Sequence, residues 1–340
     1  MKIKNIFFAA AAAMALTACS SDDAIETVQQ KSQFPEDGVM RFTTNLVDPT
    51  AVTTRASITG SDVNQNGQQF QVKIVNPTSA QYSYFNTVQF NGTEWTPVNR
   101  MLWQNDQQSI TVTAAYKQDK TFSDYDFIVG ANLTVAANQS TEAKLKQQDL
   151  LTMPTKTIAN PSIEETLMQN GKLVINFYHA LAKLDVTLDL ANEFYKVDPK
   201  LNNATDITEF TISGTNAGYQ FKAMETANEN YGTVTVTAST PADILANQCA
   251  FTAATDADMH SHATYEAIVV PQTIAAGALT VSFKIGTRSF SWTNTEAITL
   301  EQGKRYTLPL TVGYDTVTAP ARALSASAWE DQPGDNLGTE

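Results

Sequence analysis

The sequence is poor in several residue types, and each shortage excludes a class of protein. Among its 340 residues are only 2 Cys, 3 His and 22 Lys plus Arg, against 35 Asp plus Glu. The net charge of −13 argues against nucleic-acid binding, which usually needs a basic surface that displaces counterions from phosphate. Charged residues make up 17%, below the roughly 25% of ordinary globular domains. Apolar residues still reach 42%, so the chain can bury a core and is not a disordered polyanion.

Threonine residues take the place of many of the charged residues that an ordinary globular domain would carry. There are 45 Thr residues, and the branched Cβ of threonine suits the pleated surface of a strand. In Ser109–Tyr116 the apolar residues alternate with Thr, as in a half-buried strand. Further candidate strands of this kind are Val39–Val47, Phe70–Val75, Tyr82–Phe90, Arg100–Trp103, Lys172–Leu190, Ile207–Ser213, Thr233–Ala238, Tyr265–Pro271, Leu279–Ile285, Ser289–Trp292, Tyr306–Tyr314 and Ala323–Trp329. The sequence therefore predicts an all-β protein of antiparallel β-sandwiches.

The N-terminus reads as a targeting segment. Lys2 and Lys4 precede the apolar run Ile6–Leu16, whose eleven residues would span about 16 Å as a helix. A bilayer core is about 30 Å thick, so this run predicts a signal peptide rather than a membrane anchor.

The run ends in Leu16-Thr17-Ala18-Cys19, which resembles a bacterial lipobox. That resemblance implies cleavage between Ala18 and Cys19 and a lipid on Cys19; the alternative is an ordinary secretory signal with an incidental Cys. The following Ser20–Asp23 is either a surface-export signal or a solvated tether. With Cys19 acylated, Cys249 has no intramolecular partner, which excludes a disulfide framework.

Length predicts about two domains after the leader. We assign 1–18 to the signal peptide, 19–37 to a tether, 38–165 to an N-terminal sandwich and 166–340 to a C-terminal sandwich. The boundary falls within Asn160–Gln169, which is either a short helix or a linker. Between Thr50 and Gln69 we expect a loop.

Motifs for catalysis are missing: the sequence has no Gly-rich phosphate loop, nucleophile elbow or His-Glu-x-x-His. We therefore expect a non-enzymatic protein without a cofactor. His179 sits in an apolar pattern, as expected for a core histidine. In an extended chain, Asp256, Asp258, His260 and His262 would share one face and are candidates for a metal site; a solvated loop is the alternative.

Aromatic residues offer one further candidate site. Tyr84, Trp95 and Trp103 lie close together in the sequence. If exposed, they predict a platform on which sugar rings stack, and a surface glycan-binding lipoprotein is the alternative function. Such residues also commonly form a sandwich core.

Several short motifs together resemble the fimbrillin family of type V pilin-like lipoproteins. Besides the lipobox, they are the early strand Val39-Met-Arg-Phe-Thr, the Thr53-Thr-Arg-Ala run, Phe177–Leu184, Gly303-Lys-Arg-Tyr-Thr-Leu and a late strand that reaches Trp329-Glu330. The resemblance implies two tandem transthyretin-like β-sandwiches in an outer-membrane lipoprotein.

The resemblance to the fimbrillin family also implies a mechanism of filament assembly. An Arg-specific protease would cut between Arg55 and Ala56, and the lipid and first strand would then leave, with Val39, Arg41, Phe42 and Leu46 in the removable strand. The vacated groove would accept a C-terminal strand from the next subunit, since an unpaired strand edge and an apolar slot favour strand addition. Such head-to-tail contacts grow filaments.

The sequence offers two candidates for the donor strand. One is Ala323–Trp329, with Leu324, Ala326 and Trp329, and the other is the better-patterned Tyr306–Tyr314. Because Ala323–Trp329 is rich in small residues, a tip, accessory or anchoring subunit is as consistent as a stalk. Expected partners are other fimbrial subunits, the outer membrane through the lipid on Cys19, and a host or bacterial receptor or glycan, at the cell surface or in a fimbrium.

Overall fold

In a computed structural model of the protein, the described residues are 34–46, 58–196, 201–226, 232–237, 241–320 and 324–329. Strands dominate these ranges and the helices are short, which confirms the predicted all-β class. No helix within them is long and apolar enough to cross a membrane.

The strands are β1 (Phe42–Leu46), β2 (Gln69–Val75), β3 (Tyr84–Phe90), β4 (Trp95–Pro97), β5 (Ile110–Tyr116), β6 (Ala131–Thr134), β7 (Leu151–Ile158), β8 (Met168–Gln169), β9 (Lys172–His179), β10 (Ala182–Leu190), β11 (Ile207–Asn216), β12 (Gly218–Thr226), β13 (Gly232–Val236), β14 (Pro241–Leu245), β15 (Asn247–Thr252), β16 (Ser261–Val269), β17 (Gln272–Ile274), β18 (Thr280–Ile285), β19 (Arg288–Thr293), β20 (Ile298–Leu300), β21 (Lys304–Val312), β22 (Val317–Thr318) and β23 (Ser325–Ala328). The helices are α1 (Gly60–Val63), α2 (Asp124–Ile128), α3 (Glu142–Lys146) and α4 (Glu193–Lys196), with 3₁₀ turns at Ala80–Tyr82 and Ala204–Asp206.

The first sheet closes on itself through β1. Its order is β1-β4-β3-β2-β5-β7-β9-β8, and β1 also pairs with β9, so seven strands form a hydrogen-bonded ring. Strand β1 runs parallel to β9, from Phe42 opposite Leu173 to Leu46 opposite Phe177. Its pairing with β4 is one antiparallel pair, Phe42 opposite Trp95. Removal of β1 would therefore open the ring between β4 and β9.

The ring surrounds the first core, because alternate strand residues point inward. Phe70 of β2 lies at its centre and is fully buried. The ring of Phe70 has its centroid 6.1 Å from that of Phe42, 4.9 Å from Trp95 and 5.5 Å from Phe177. Strand β1 thus contributes one ring of a four-residue aromatic cluster.

The second core lies between two further sheets. One has the order β15-β16-β10-β21-β22, with β23 also paired to β21, and the other has the order β14-β11-β18-β19. Leu184, Val186 and Leu188 of β10 alternate towards this core. Phe210 of β11 stacks on Tyr265 of β16 with ring centroids 3.7 Å apart, which joins the two sheets as a sandwich.

Each core draws on residues from both halves of the chain. Strand β6 pairs with β12, and Phe127 and Leu145 enter the second core although they precede residue 166. Conversely, Phe177 belongs to the first core. The division into domains at 38–165 and 166–340 stays a prediction.

Local structure corrects two expectations and decides between two alternatives for a third segment. Arg100–Trp103 is not a strand and contributes one isolated bridge, from Leu102 to Val39. The expected loop Thr50–Gln69 contains α1, because Thr59 and Asp62 form a reciprocal capping box at its start. Asn160–Gln169 is made of turns that end in β8 rather than a helix.

Candidate functional site

The segment 40–46, which contains β1, presents one row of side chains to the first core. Met40 and Phe42 are each 1% exposed, and Thr44 is 9% exposed. Leu46 is partly buried at the end of the same row and packs against the core. The inward row is therefore Met, Phe, Thr and Leu at every second position.

The outward side of this segment carries the other two predicted residues. Val39 bridges to Leu102, and Arg41 Nη2 lies 2.5 Å from Asp37 Oδ2. The hydrogen bond from Arg41, followed by that from the Val39 N–H, holds the pKa of Asp37 well below its usual range. Exposed ion pairs of this kind add little stability, so the inward row holds the strand in place.

A polar contact interrupts the apolar row at Thr44. Its hydroxyl donates to Asn64 Oδ1 at 3.0 Å and accepts from Trp95 Nε1 at 3.1 Å. Trp95 Nε1 also lies 2.8 Å from the same Asn64 oxygen. Asn64 Nδ2 donates to the Gly60 carbonyl at 2.9 Å, and this bond sets the orientation of the amide. Sequence reasoning missed Thr44 and Asn64, because nothing local in the sequence connects the two residues.

The predicted lipidation and processing sites fall outside the described residues. These are Ala18 and Cys19 at the signal cleavage site, and Arg55 and Ala56 at the protease site. The described chain resumes at Ile58, which is 1% exposed in the first core. Lipidation and proteolysis therefore stay predictions.

The C-terminal segment lies along the edge of the second sandwich. Strand β23 pairs antiparallel with β21 over Lys304–Thr307. Ala326 is exposed, whereas Leu324 is half-buried against the second core. Trp329 is 3% exposed, and its backbone N–H donates to the Gly303 carbonyl at 2.9 Å. Of the three candidate donor residues, Trp329 is therefore the one inserted deeply.

The indole of Trp329 rests on a buried histidine. Its ring stacks on His179 with centroids 4.2 Å apart and 5° between the planes. His179 Nδ1 lies 2.9 Å from Asp149 Oδ2, and both residues are buried. Since His179 ends β9, the stack connects the C-terminal segment to the strand that pairs with β1. The sequence indicated a core histidine but not Asp149 or Trp329 as its neighbours.

The alternative donor, Tyr306–Tyr314, contains an interior strand. Strand β21 pairs parallel with β10 on one side and antiparallel with β22 and β23 on the other. Its alternating residues Tyr306, Leu308, Leu310 and Val312 are all buried. Removing β21 would divide the sheet, so it is a poor donor.

The candidate sugar platform is largely packed inside. Trp95 and Trp103 are each 5% exposed, so neither ring offers a free face. Tyr84 is half-buried, and its hydroxyl donates to the Leu102 carbonyl and accepts from the Leu102 N–H, both at 3.2 Å. These aromatics form core and give glycan binding no support at this place.

The Asp–His run is divided between a loop and the start of β16. Asp256 accepts from the Tyr195 hydroxyl, while His262 Nε2 lies 3.4 Å from Asp258 Oδ2. His260 Nδ1 lies 2.7 Å from Asp189 of β10. The N–H of His260 and then the imidazole of His262 lower the pKa of Asp258. In the described part of the chain, no group of three or more such side chains is arranged to hold a metal ion.

The fold resembles the solved structures of candidate cell adhesion proteins. A candidate cell adhesion protein from Bacteroides uniformis ATCC 8492 has a TM-score of 0.54 and 17% identity, over 86% of this chain and 98% of that one. Another from Bacteroides ovatus ATCC 8483 has a TM-score of 0.53 and 14% identity, over 87% and 97%. At these identities the likeness shows the fold alone. No curated protein matches the sequence.

The profile of one family matches most of the chain. The fimbrillin-like profile aligns with residues 54–326, a range that begins after β1, ends within β23 and contains all the strands from β2 to β22. The match confirms the resemblance inferred from the short motifs. The chain therefore belongs to the fimbrillin-like family.

Proposed function

We propose that the chain is a non-enzymatic fimbrial subunit, carried to the outer membrane as a lipoprotein through Cys19. Cleavage after Arg55 then frees β1, and the vacated groove accepts a strand from another subunit. Family membership supports a structural role in fimbriae or adhesion. The observation that carries the mechanism is that β1 closes the first ring.

Loss of β1 would leave two kinds of unsatisfied partner. Strand β9 would lose its parallel neighbour over Leu173–Phe177, and the first core would lose Met40 and Phe42. Burying each such side chain contributes about 1.5–3 kcal/mol, and each backbone hydrogen bond contributes about 0.5–1.5 kcal/mol. An opened ring therefore favours capture of a replacement strand.

The position of Arg55 in the chain fits this mechanism. Arg55 follows the last residue of β1, Leu46, and precedes the buried Ile58 and helix α1. A cut there separates β1 from the remainder of the first ring without breaking any described strand or helix.

The C-terminal segment supports an accepting rather than a donating role. A donor strand needs large side chains at alternate positions, whereas β23 is Ser-Ala-Ser-Ala. Of its two large neighbours, Leu324 packs against the second core and Trp329 is inserted beside His179 in the same chain. This favours a terminal position in the filament, where a subunit receives a strand without supplying one.

The test replaces Arg55 by Lys, which keeps the charge but is not cut by an Arg-specific protease. We expect the native surface protein to begin at free Ala56, and the Arg55→Lys protein to retain an acylated Cys19 and stay out of filaments. Arg41→Lys is the matched control and should be processed normally. Mass spectrometry of the N-terminus and immunogold labelling of filaments are the measurements. Normal assembly of Arg55→Lys would refute the processing step.

A further inference from the structure

We infer that the groove left by β1 reads the chemistry of the incoming strand, and that it selects a Thr or Ser hydroxyl at the position of Thr44. This inference rests on the proposed strand exchange and specifies its partner. The fitting strand carries a flexible apolar residue, an aromatic, a hydroxyl and an aliphatic residue at alternate positions, as Met40, Phe42, Thr44 and Leu46 do.

The aromatic position is set by the ring cluster around Phe70. Phe42 meets Phe70 edge to face, with 6.1 Å between centroids and 78° between planes. Trp95 and Phe177 occupy the other sides of Phe70. A small side chain at this position would leave a cavity among buried rings, so an alanine should weaken strand binding by at least about a hundredfold.

The hydroxyl position is set by Asn64 and Trp95. Asn64 Nδ2 is held by the Gly60 carbonyl, so its Oδ1 faces the strand as an acceptor. Trp95 Nε1 offers a donor 3.1 Å from the Thr44 oxygen. A hydroxyl binds both groups at once, whereas with a valine side chain of the same shape only the 2.8 Å bond from Trp95 Nε1 to Asn64 Oδ1 remains. The net contribution of such a contact corresponds to a change of about three- to tenfold in the affinity of the groove for the strand.

Register is fixed from the outward side as well. Asn45 Nδ2 donates to Asn176 Oδ1 on β9 at 3.2 Å. A slip of one residue would turn Thr43 and Asn45 into the core and expel Phe42, because the side-chain period is two. The groove therefore accepts the sequence pattern in one register, parallel to β9.

The segment Leu324–Trp329 of the same chain lacks this pattern. One face of the segment would offer Leu324, Ala326 and Ala328, and the other Ser325, Ser327 and Trp329. Neither row has an aromatic residue followed two positions later by a hydroxyl. The fitting partner is therefore not the Leu324–Trp329 segment of a second copy, but a strand of another protein chain that carries the pattern.

A strand-exchange assay on the full chain tests the inference. The chain is cut at Arg55 by an Arg-specific protease, the new N-terminus at Ala56 is checked by mass spectrometry, and the protease is inactivated. Labelled peptides with the sequence of residues 38–48 then compete with the resident strand. The series contains the native peptide and the Thr44→Ser and Thr44→Val variants. Thr43→Val is the matched control, since it makes the same chemical change on the outward side.

We expect the native, Thr44→Ser and Thr43→Val peptides to bind alike, and Thr44→Val to bind about three- to tenfold more weakly. Asn64→Ala in the protein should then reduce the difference between the native and Thr44→Val peptides, as a double-mutant cycle detects. Equal binding of Thr44→Val and Thr43→Val would overturn the inference and leave strand exchange standing. Failure of every peptide, the native one included, would overturn strand exchange and the inference with it.

Discussion

The first prediction concerns the residue that attaches the C-terminal segment to the second sandwich. Its strand, β23, offers four residues with mostly exposed side chains, so little of its attachment comes from side-chain burial. Trp329 is the exception, because it is 3% exposed and stacks on His179. Replacing a buried Trp by Ala typically costs about 3–5 kcal/mol. We therefore expect Trp329→Ala to detach the segment locally rather than unfold the protein.

Hydrogen exchange measures this directly. A loss of about 3 kcal/mol from the free energy of docking corresponds to roughly a hundredfold change in the opening equilibrium. The amides of Ser325–Ala328 should then exchange at least about a hundredfold faster in Trp329→Ala, while β10 and β16 keep their protection. Ser327→Ala, an exposed change within β23, serves as the control and should leave exchange unaltered.

Two outcomes would refute this reasoning. Unchanged protection of β23 in Trp329→Ala would mean that the ladder to β21 suffices and the indole is not the anchor. Faster exchange throughout β10, β16 and β21 would mean that Trp329 stabilises the whole cooperative core and does not anchor the C-terminal segment alone.

Two further predictions concern the cores. Phe42→Ala should lower the free energy of unfolding of the uncut chain by about 3–5 kcal/mol in urea titration, while the outward Thr43→Ala should change it by less than about 1 kcal/mol; similar losses would contradict the inward orientation of Phe42. Burial, followed by the nearby Glu266 charge, raises the pKa of the Cys249 thiol well above its usual range. Since the thiolate is the nucleophile, iodoacetamide at neutral pH should alkylate the half-buried Cys249 of the native chain at least about tenfold more slowly than Cys249 of the urea-unfolded chain, and equal rates would contradict this protection.

Strands were the most predictable part of the fold because their signal is local. The alternation in Ser109–Tyr116 and Leu279–Ile285 predicted β5 and β18 to within one residue of their ends. Strand pairing was not predictable in this way. The parallel pairing of Phe42 with Leu173 joins residues far apart in the chain, and no feature of either segment specifies its partner.

The candidate site shows the same division between local and long-range information. Alternation alone places Met40, Phe42 and Thr44 on one face, but Asn64 reaches Thr44 only because α1 ends beside β1. The aromatic run that contains Trp95 fits a sugar platform or a core equally well in sequence, since residue type fixes the size of a side chain and not its exposure.

The Asp–His run shows how a local rule fails. Four polar side chains on one face require an extended chain from Asp256 to His262, but β16 begins at Ser261 and the preceding residues form a loop. The carboxylate that lies near both His260 and His262 is Asp189 on β10, which the local pattern does not contain.

The contents of the groove decide whether this chain can polymerise with itself. The resident strand fills the groove with three large side chains, Met40, Phe42 and Leu46. Either row of the C-terminal segment contains one large side chain, Leu324 or Trp329, so an exchange replaces at least two large side chains by small ones. Each replacement costs about 2–5 kcal/mol, which sums to at least about 4 kcal/mol, or roughly a thousandfold against exchange. When Leu324, Ala326 and Ala328 enter the groove, Trp329 leaves its own pocket without being buried again, which adds a further cost. Under the proposed strand exchange, the energy difference therefore opposes insertion of the Leu324–Trp329 segment of a second copy and favours a strand of different sequence.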